Sequence, residues 1–161
     1  MPFNPLEWIV STNAHYQPQR RPCLELKAQL DGFFSDELLA SAGFVILDEL
    51  PSPPRAQVAA LGLDELLSPS AMGLTLADTY YLKPPAAGQL RVHFHELVHV
   101  VQWQALGTAR FVERYLQEIR QHGYRQAPLE QMAYELEHRF ALNPGSHFDA
   151  QARVLSLLGL Y

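Results

Sequence analysis

Between Leu90 and Leu106 the chain runs nearly apolar, and inside that run His95, Glu96 and His99 stand as His-Glu-x-x-His. On an α-helix, positions four apart share a face one turn apart, so both imidazoles can aim a nitrogen at one point. Zn²⁺ accepts neutral imidazole at about 2.0–2.1 Å, and its catalytic sites use three protein ligands plus water. Glu96 follows the first histidine directly, where its carboxylate can reach such a water and act as general base. The spacing therefore predicts metal-assisted hydrolysis, with His95 and His99 as ligands and Zn²⁺ as cofactor. The plain counterpart is a buried helix whose two histidines are only hydrogen-bonded.

Two histidines need a third ligand. The downstream candidates are Glu113, Glu118, Glu130, Glu135, Glu137, His122, His138, His147 and Asp149. A helix starting near Pro128 carries an apolar stripe of Leu129, Met132, Ala133, Leu136 and Phe140, with Glu130 and Glu137 on one border and Glu135 on the other. Small Ala133 lets this helix approach the histidine helix closely, and the order of preference is Glu130, Glu137, Glu135. Glu118, 19 residues after His99 and also bordering an apolar face, competes with them. His93 points nearly opposite His95 and is expected to be structural or exposed. One of His15, His122, His138 and His147, or a tyrosine such as Tyr134 or Tyr124, could supply an oxyanion donor.

The elements that must position these residues read as α+β. Residues 1–22, with four prolines, suggest an irregular arm with one helical turn, and Arg20-Arg21 a solvated pair. Residues 23–30 fit strand or helix equally. Ser35 predicts the cap of a helix over 36–42, and Phe44–Leu47 a buried strand. A short helix is expected over 55–61 and another turn near 64–67. Gly73–Leu82 alternates as one half-buried strand, with Leu74, Leu76, Tyr80 and Leu82 on one side; it is the candidate edge strand. Helices follow over 89–105, 109–121, 128–142 and from a Ser146–Asp149 capping pair to about Leu158.

At 161 residues the chain fits a single domain. A net charge of −5 and no basic run argue against a nucleic-acid partner. The lone Cys23 excludes a disulfide framework, no apolar stretch is long enough for a membrane partner, and the start lacks a secretory pattern, so the cytoplasm is the default. Oligomeric state is not legible, although the apolar end, Leu155–Tyr161, suits an interface as well as a core.

His95-Glu96-Leu97-Val98-His99 followed by Glu130-Gln131-Met132-Ala133 resembles the gluzincin group of metallopeptidases. The stretch from about Thr75 to Leu142 is similar to small single-domain bacterial members called minigluzincins; residues 1–70 lie outside the resemblance. It implies a zincin-like domain with a small mixed sheet, an edge strand, an active-site helix and a mostly helical C-terminal half. It further implies zinc held by His95, His99 and Glu130, Glu96 as base, and a peptide or protein substrate. Many members carry an Asp four residues after the ligand glutamate to orient the first histidine. Here that position is Tyr134, left to support the site or the oxyanion. The 31 residues from His99 to Glu130 exceed the usual spacing, which keeps Glu118 open. The rival reading is a zinc-bearing binding module without turnover, or a latent enzyme whose N-terminal arm covers its cleft.

Overall fold

The computed structural model describes residues 3–60 and 71–160. The N-terminal segment corrects the expectation of an irregular arm: it forms a 12-residue helix, α1 (Pro5–Tyr16). Asn4 accepts the amides of Leu6 and Glu7, and Pro5 takes the first helical position, where a missing N–H goes unnoticed. Pro5 thus starts the helix rather than breaking it. After a 3₁₀ turn over Gln17–Gln19 come the short strand β1 (Arg21–Pro22), a second 3₁₀ turn over Cys23–Leu26, and α2 (Lys27–Leu30). Ser35 caps α3 (Asp36–Ser41) through the Leu38 amide, and β2 (Gly43–Ile46) is the buried strand expected one residue further on. Helix α4 (Arg55–Ala60) agrees with the expected helix, while the turn near 64–67 lies outside the described residues.

The single strand expected over Gly73–Leu82 is instead a hairpin, β3 (Gly73–Leu76) and β4 (Thr79–Leu82), turning at Ala77-Asp78. Ala77 enters the left-handed region at φ 62°, a conformation that alternation cannot reveal. The turn resets the parity. Leu74 now pairs with Tyr81 and Thr75 with Tyr80, so the residues expected on one side divide between two faces. Both faces are covered. Tyr80 and Leu82 join the core under the long helix, and Leu76 and Tyr81 pack with Ile9 of α1.

The sheet order is β1-β2-β4-β3, with β2–β4 parallel and the other two pairs antiparallel. Among the described residues β3 is therefore an edge. The remainder is helical: α5 (Pro84–Ala87), α6 (Leu90–Leu106), α7 (Thr108–His122), α8 (Pro128–Leu142) and α9 (Ala150–Leu157). Gly107 ends α6 at φ 82°, and Asp149 alone caps α9, without Ser146. Helix α8 lies along α6, where Phe94 stacks on Phe140 at 4.5 Å between centroids and Ala133 is fully buried.

Arg20 is not solvated. Its guanidinium donates to Thr79 Oγ1 at 2.9 Å and to the carbonyls of Ser41 and Asp78, tying α3 to the hairpin turn. Gly43 leaves the space it fills, since a Cβ there would meet Arg20 Cζ at 2.4 Å. No helix among the described residues is long and apolar enough to cross a membrane.

Candidate metal centre

Every residue of α6 from His93 to Trp103 is buried, so its polar side chains are drawn to partners inside the protein, and among the described residues His99 Nε2 and Trp103 Nε1 are the buried side-chain atoms left without one. His93 lies on the face turned away from His95, as expected of a structural residue. Its Nε2–H donates to the Ala87 carbonyl at 2.8 Å, and its Nδ1 accepts from Tyr80 Oη at 2.7 Å. Burial lowers its pKa, which keeps it neutral.

His95 and His99 occupy the opposite face with ring centroids 4.9 Å apart. The amide of Gln102 donates to the Leu129 carbonyl at 3.0 Å and touches Met132 Sδ. Its Oε1 is then the acceptor for His99 Nδ1 at 2.8 Å, so that nitrogen carries the proton. On His95, Nδ1 lies 2.9 Å from Glu137 Oε1, and Arg91 donates to Glu137 Oε2 at 2.7 Å. Burial opposes ionisation of Glu137, but the bonds from His95 and Arg91 outweigh it and hold its carboxyl below the usual range. His95 Nδ1 is therefore a donor as well. As neutral imidazoles, both would turn an Nε2 lone pair to the same side.

Glu130 meets them there. Its Oε1 is 3.1 Å from His95 Nε2, and its Oε2 is 3.0 Å from His99 Nε2. The second contact lacks hydrogen-bond geometry, and His99 Nε2 is a buried nitrogen with no hydrogen-bond partner. The three groups offer ligand atoms all within 4.8 Å of one another. A tetrahedral zinc with bonds of about 2.0 Å separates its ligands by about 3.3 Å. Two lone pairs facing a carboxylate repel unless a cation or a proton lies between them. The donor set could thus hold a metal ion such as zinc, and the unpartnered His99 Nε2 is compatible with one. Without an ion, burial disfavours the His95 imidazolium, yet hydrogen bonds to Glu130 and Glu137 prevail and raise its pKa to about 10.

Tyr115 of α7 donates to Glu130 Oε2 at 2.6 Å and fixes the carboxylate from the far side. Glu118 is occupied elsewhere. Its Oε1 accepts the Leu129 amide at 2.8 Å, its Oε2 pairs with Arg114, and its charge sits at the N-terminus of α8. Of the glutamates weighed for the third position, the structure brings Glu130 to both Nε2 atoms. Glu137 goes to His95 Nδ1, while Glu113 and Glu135 stay exposed. Tyr134 packs its ring on His95 at 4.5 Å between centroids, and its hydroxyl hydrogen-bonds with Tyr124. The group that holds His95 from behind is therefore Glu137, seven residues after Glu130 and two helical turns along the same face. Helical spacing in the sequence does not separate Glu137 from the ligand candidates and singles out neither Gln102 nor Tyr115. Gln102, three residues after His99, carried a positional signal; Tyr115 carried none.

Glu96, one residue round the helix, faces β3. Thr75 Oγ1 reaches its Oε2 at 3.4 Å and its backbone carbonyl at 3.3 Å. Burial raises its pKa, and the neighbouring His95 and His99 draw it partly back. The centre opens into a cleft of about 1070 Å³ walled by Leu74 and Thr75 on one side and Tyr115, Tyr124 and Tyr134 on the other. The residues lining the cleft include none from 3–22. Set against protein-family models, curated proteins and solved structures, the chain matches none of them.

Proposed function

We propose that the chain is a zinc-dependent hydrolase of the gluzincin type that cleaves peptide bonds. The observation that carries this reading is the convergence of His95 Nε2, His99 Nε2 and Glu130, with both Nδ1 atoms already committed to acceptors. These three side chains would hold the zinc. When bound, zinc supplies Lewis acidity and a water of lowered pKa. Glu96 then works as general base: a carboxylate oxygen takes a proton from the attacking water and returns it to the leaving amine. Its burial suits the task, because a raised pKa makes it a better proton acceptor. Tyr134, whose ring lies on His95 at the cleft wall, is the candidate hydroxyl donor to the developing oxyanion.

Strand β3 supports a peptide substrate. The Lys83 amide bonds the Met72 carbonyl at 3.0 Å, and hydrogen-bonded and open pairs alternate along an antiparallel ladder. Gly73 and Thr75 therefore turn their N–H and C=O groups to the edge that is free among the described residues, where an extended backbone can pair. The test is zinc content by mass spectrometry for wild type, Glu130→Ala, Glu118→Ala and Glu96→Gln, with cleavage of a random peptide library alongside. The expected result is near-stoichiometric zinc in all but Glu130→Ala, and cleavage lost in Glu96→Gln. Zinc bound without cleavage of any peptide would return the chain to a binding module. Absence of zinc from wild type supplied with the ion would sink the reading.

A further inference from the structure

We infer that Gly73 and Thr75 of β3 form a seat that positions the Glu96 carboxylate, which makes the edge strand part of the base's machinery. This rests on the hydrolase reading above. A Cβ added at Gly73 would lie 2.9 Å from Glu96 Oε1, 3.0 Å from its Cδ and 3.1 Å from Leu82 Cδ2. The first approach is closer than real Cβ atoms come, and the other two are tight enough that the neighbour would have to give by a few tenths of an ångström. Gly73 is not among the residues with positive φ, so its backbone does not call for glycine. Glycine is also an unfavourable choice inside a strand, where it often marks a close approach. What it leaves here is room, and the Glu96 carboxylate fills it.

Thr75, two residues on, shares the strand face of Gly73 and adds a hydroxyl within reach of both Glu96 Oε2 and the Glu96 carbonyl. The carboxylate is thus bounded by space at one position and directed by a donor at the next. Register makes this possible: the Ala77-Asp78 turn sets Gly73 opposite Leu82, and a slip of one residue would turn the opposite face of the strand to Glu96. Both residues are positioning residues that act through Glu96, and neither touches the ligand set.

The test is a double-mutant cycle in thermal unfolding, which needs neither zinc nor substrate. Gly73→Ala is placed in wild type, in Glu96→Gln and in Glu96→Ala. The seat predicts that Gly73→Ala lowers Tm by several degrees in wild type and in Glu96→Gln, which keeps the clashing atoms. In Glu96→Ala, where those atoms are gone, the shift should be markedly smaller. Equal shifts in all three backgrounds would overturn the seat, because the cost would then belong to Leu82. On the zinc-loaded protein, Gly73→Ala should keep full zinc and KM while losing roughly 100-fold in kcat, the scale of a misplaced catalytic group. Thr75→Val should lose kcat likewise and Thr75→Ser should restore it; indifference of kcat to both would remove Thr75 from the seat. If even wild type cleaves nothing, the hydrolase reading fails, and the unfolding cycle still decides the seat.

Discussion

His95 Nδ1 lies 2.9 Å from Glu137 Oε1, and the other oxygen of that carboxylate receives Arg91 Nε and Nη2 at 2.7 Å. The relationship fixes the His95 tautomer and aims its Nε2 at Glu130. Outer partners of this kind are worth 10–100-fold in metal affinity when removed. Glu137→Ala should therefore weaken zinc binding by about 10–100-fold in competition with a chromogenic chelator. Arg91→Ala, which leaves the carboxylate in place, should cost less. Equal affinity in Glu137→Ala and wild type would show that the carboxylate does not hold His95.

Zinc should also stabilise the fold. The three side chains proposed to hold zinc are buried, and an ion that binds only the folded state adds RT ln(1 + [L]/Kd), about 2.7 kcal/mol at 100 times Kd. For a chain of this size that raises Tm by roughly 5–10 °C. Calorimetry with added zinc and with chelator should show this rise in wild type and not in Glu130→Ala. The same shift in both proteins would place the ion elsewhere.

Ala77 holds φ 62° in the hairpin turn, where an L-residue pays roughly 1–2 kcal/mol that glycine does not. Ala77→Gly should raise stability to chemical denaturation by about 1 kcal/mol, after the greater freedom of glycine in the unfolded chain is deducted. A loss of stability would show that the methyl group makes compensating contacts.

Cys23 is fully buried with its Sγ 3.5 Å from Tyr80 Oη, and burial pushes the thiol up to about 11 from an ordinary 9.0, against the opposing hydrogen bond of Tyr80. The folded chain then keeps a proton that the unfolded chain releases. That contribution is whole below pH 9 and is lost as pH rises toward 11, to the extent of about 2–3 kcal/mol. Stability to denaturation measured from pH 8 to 11 should fall more steeply for wild type than for Cys23→Ala. Parallel slopes would mean that the thiol does not titrate with folding.

What the sequence determined by itself is local. Helical spacing put His95 and His99 on one face with Glu96 beside them, and turn and cap residues marked α3, α6, α7 and α8 nearly to their ends. Those features depend on neighbours within a turn or two, which periodicity and capping report directly. Where a local rule had two outcomes, it failed. Four prolines in residues 1–22 suggested an irregular arm, yet Pro5 starts a helix, and ten alternating residues form a hairpin because Ala77 adopts a backbone angle that no pattern marks.

Tertiary structure alone decided which border glutamate meets the histidines. Glu118, Glu130 and Glu137 each border an apolar face. The difference between them arises from how α8 lies on α6, set by the Phe94–Phe140 stack and the close approach at Ala133, and from the Leu129 amide that engages Glu118. Contacts across 35 and 42 residues, His95 to Glu130 and His95 to Glu137, follow from the packing of two helices, and helical period carries no record of it.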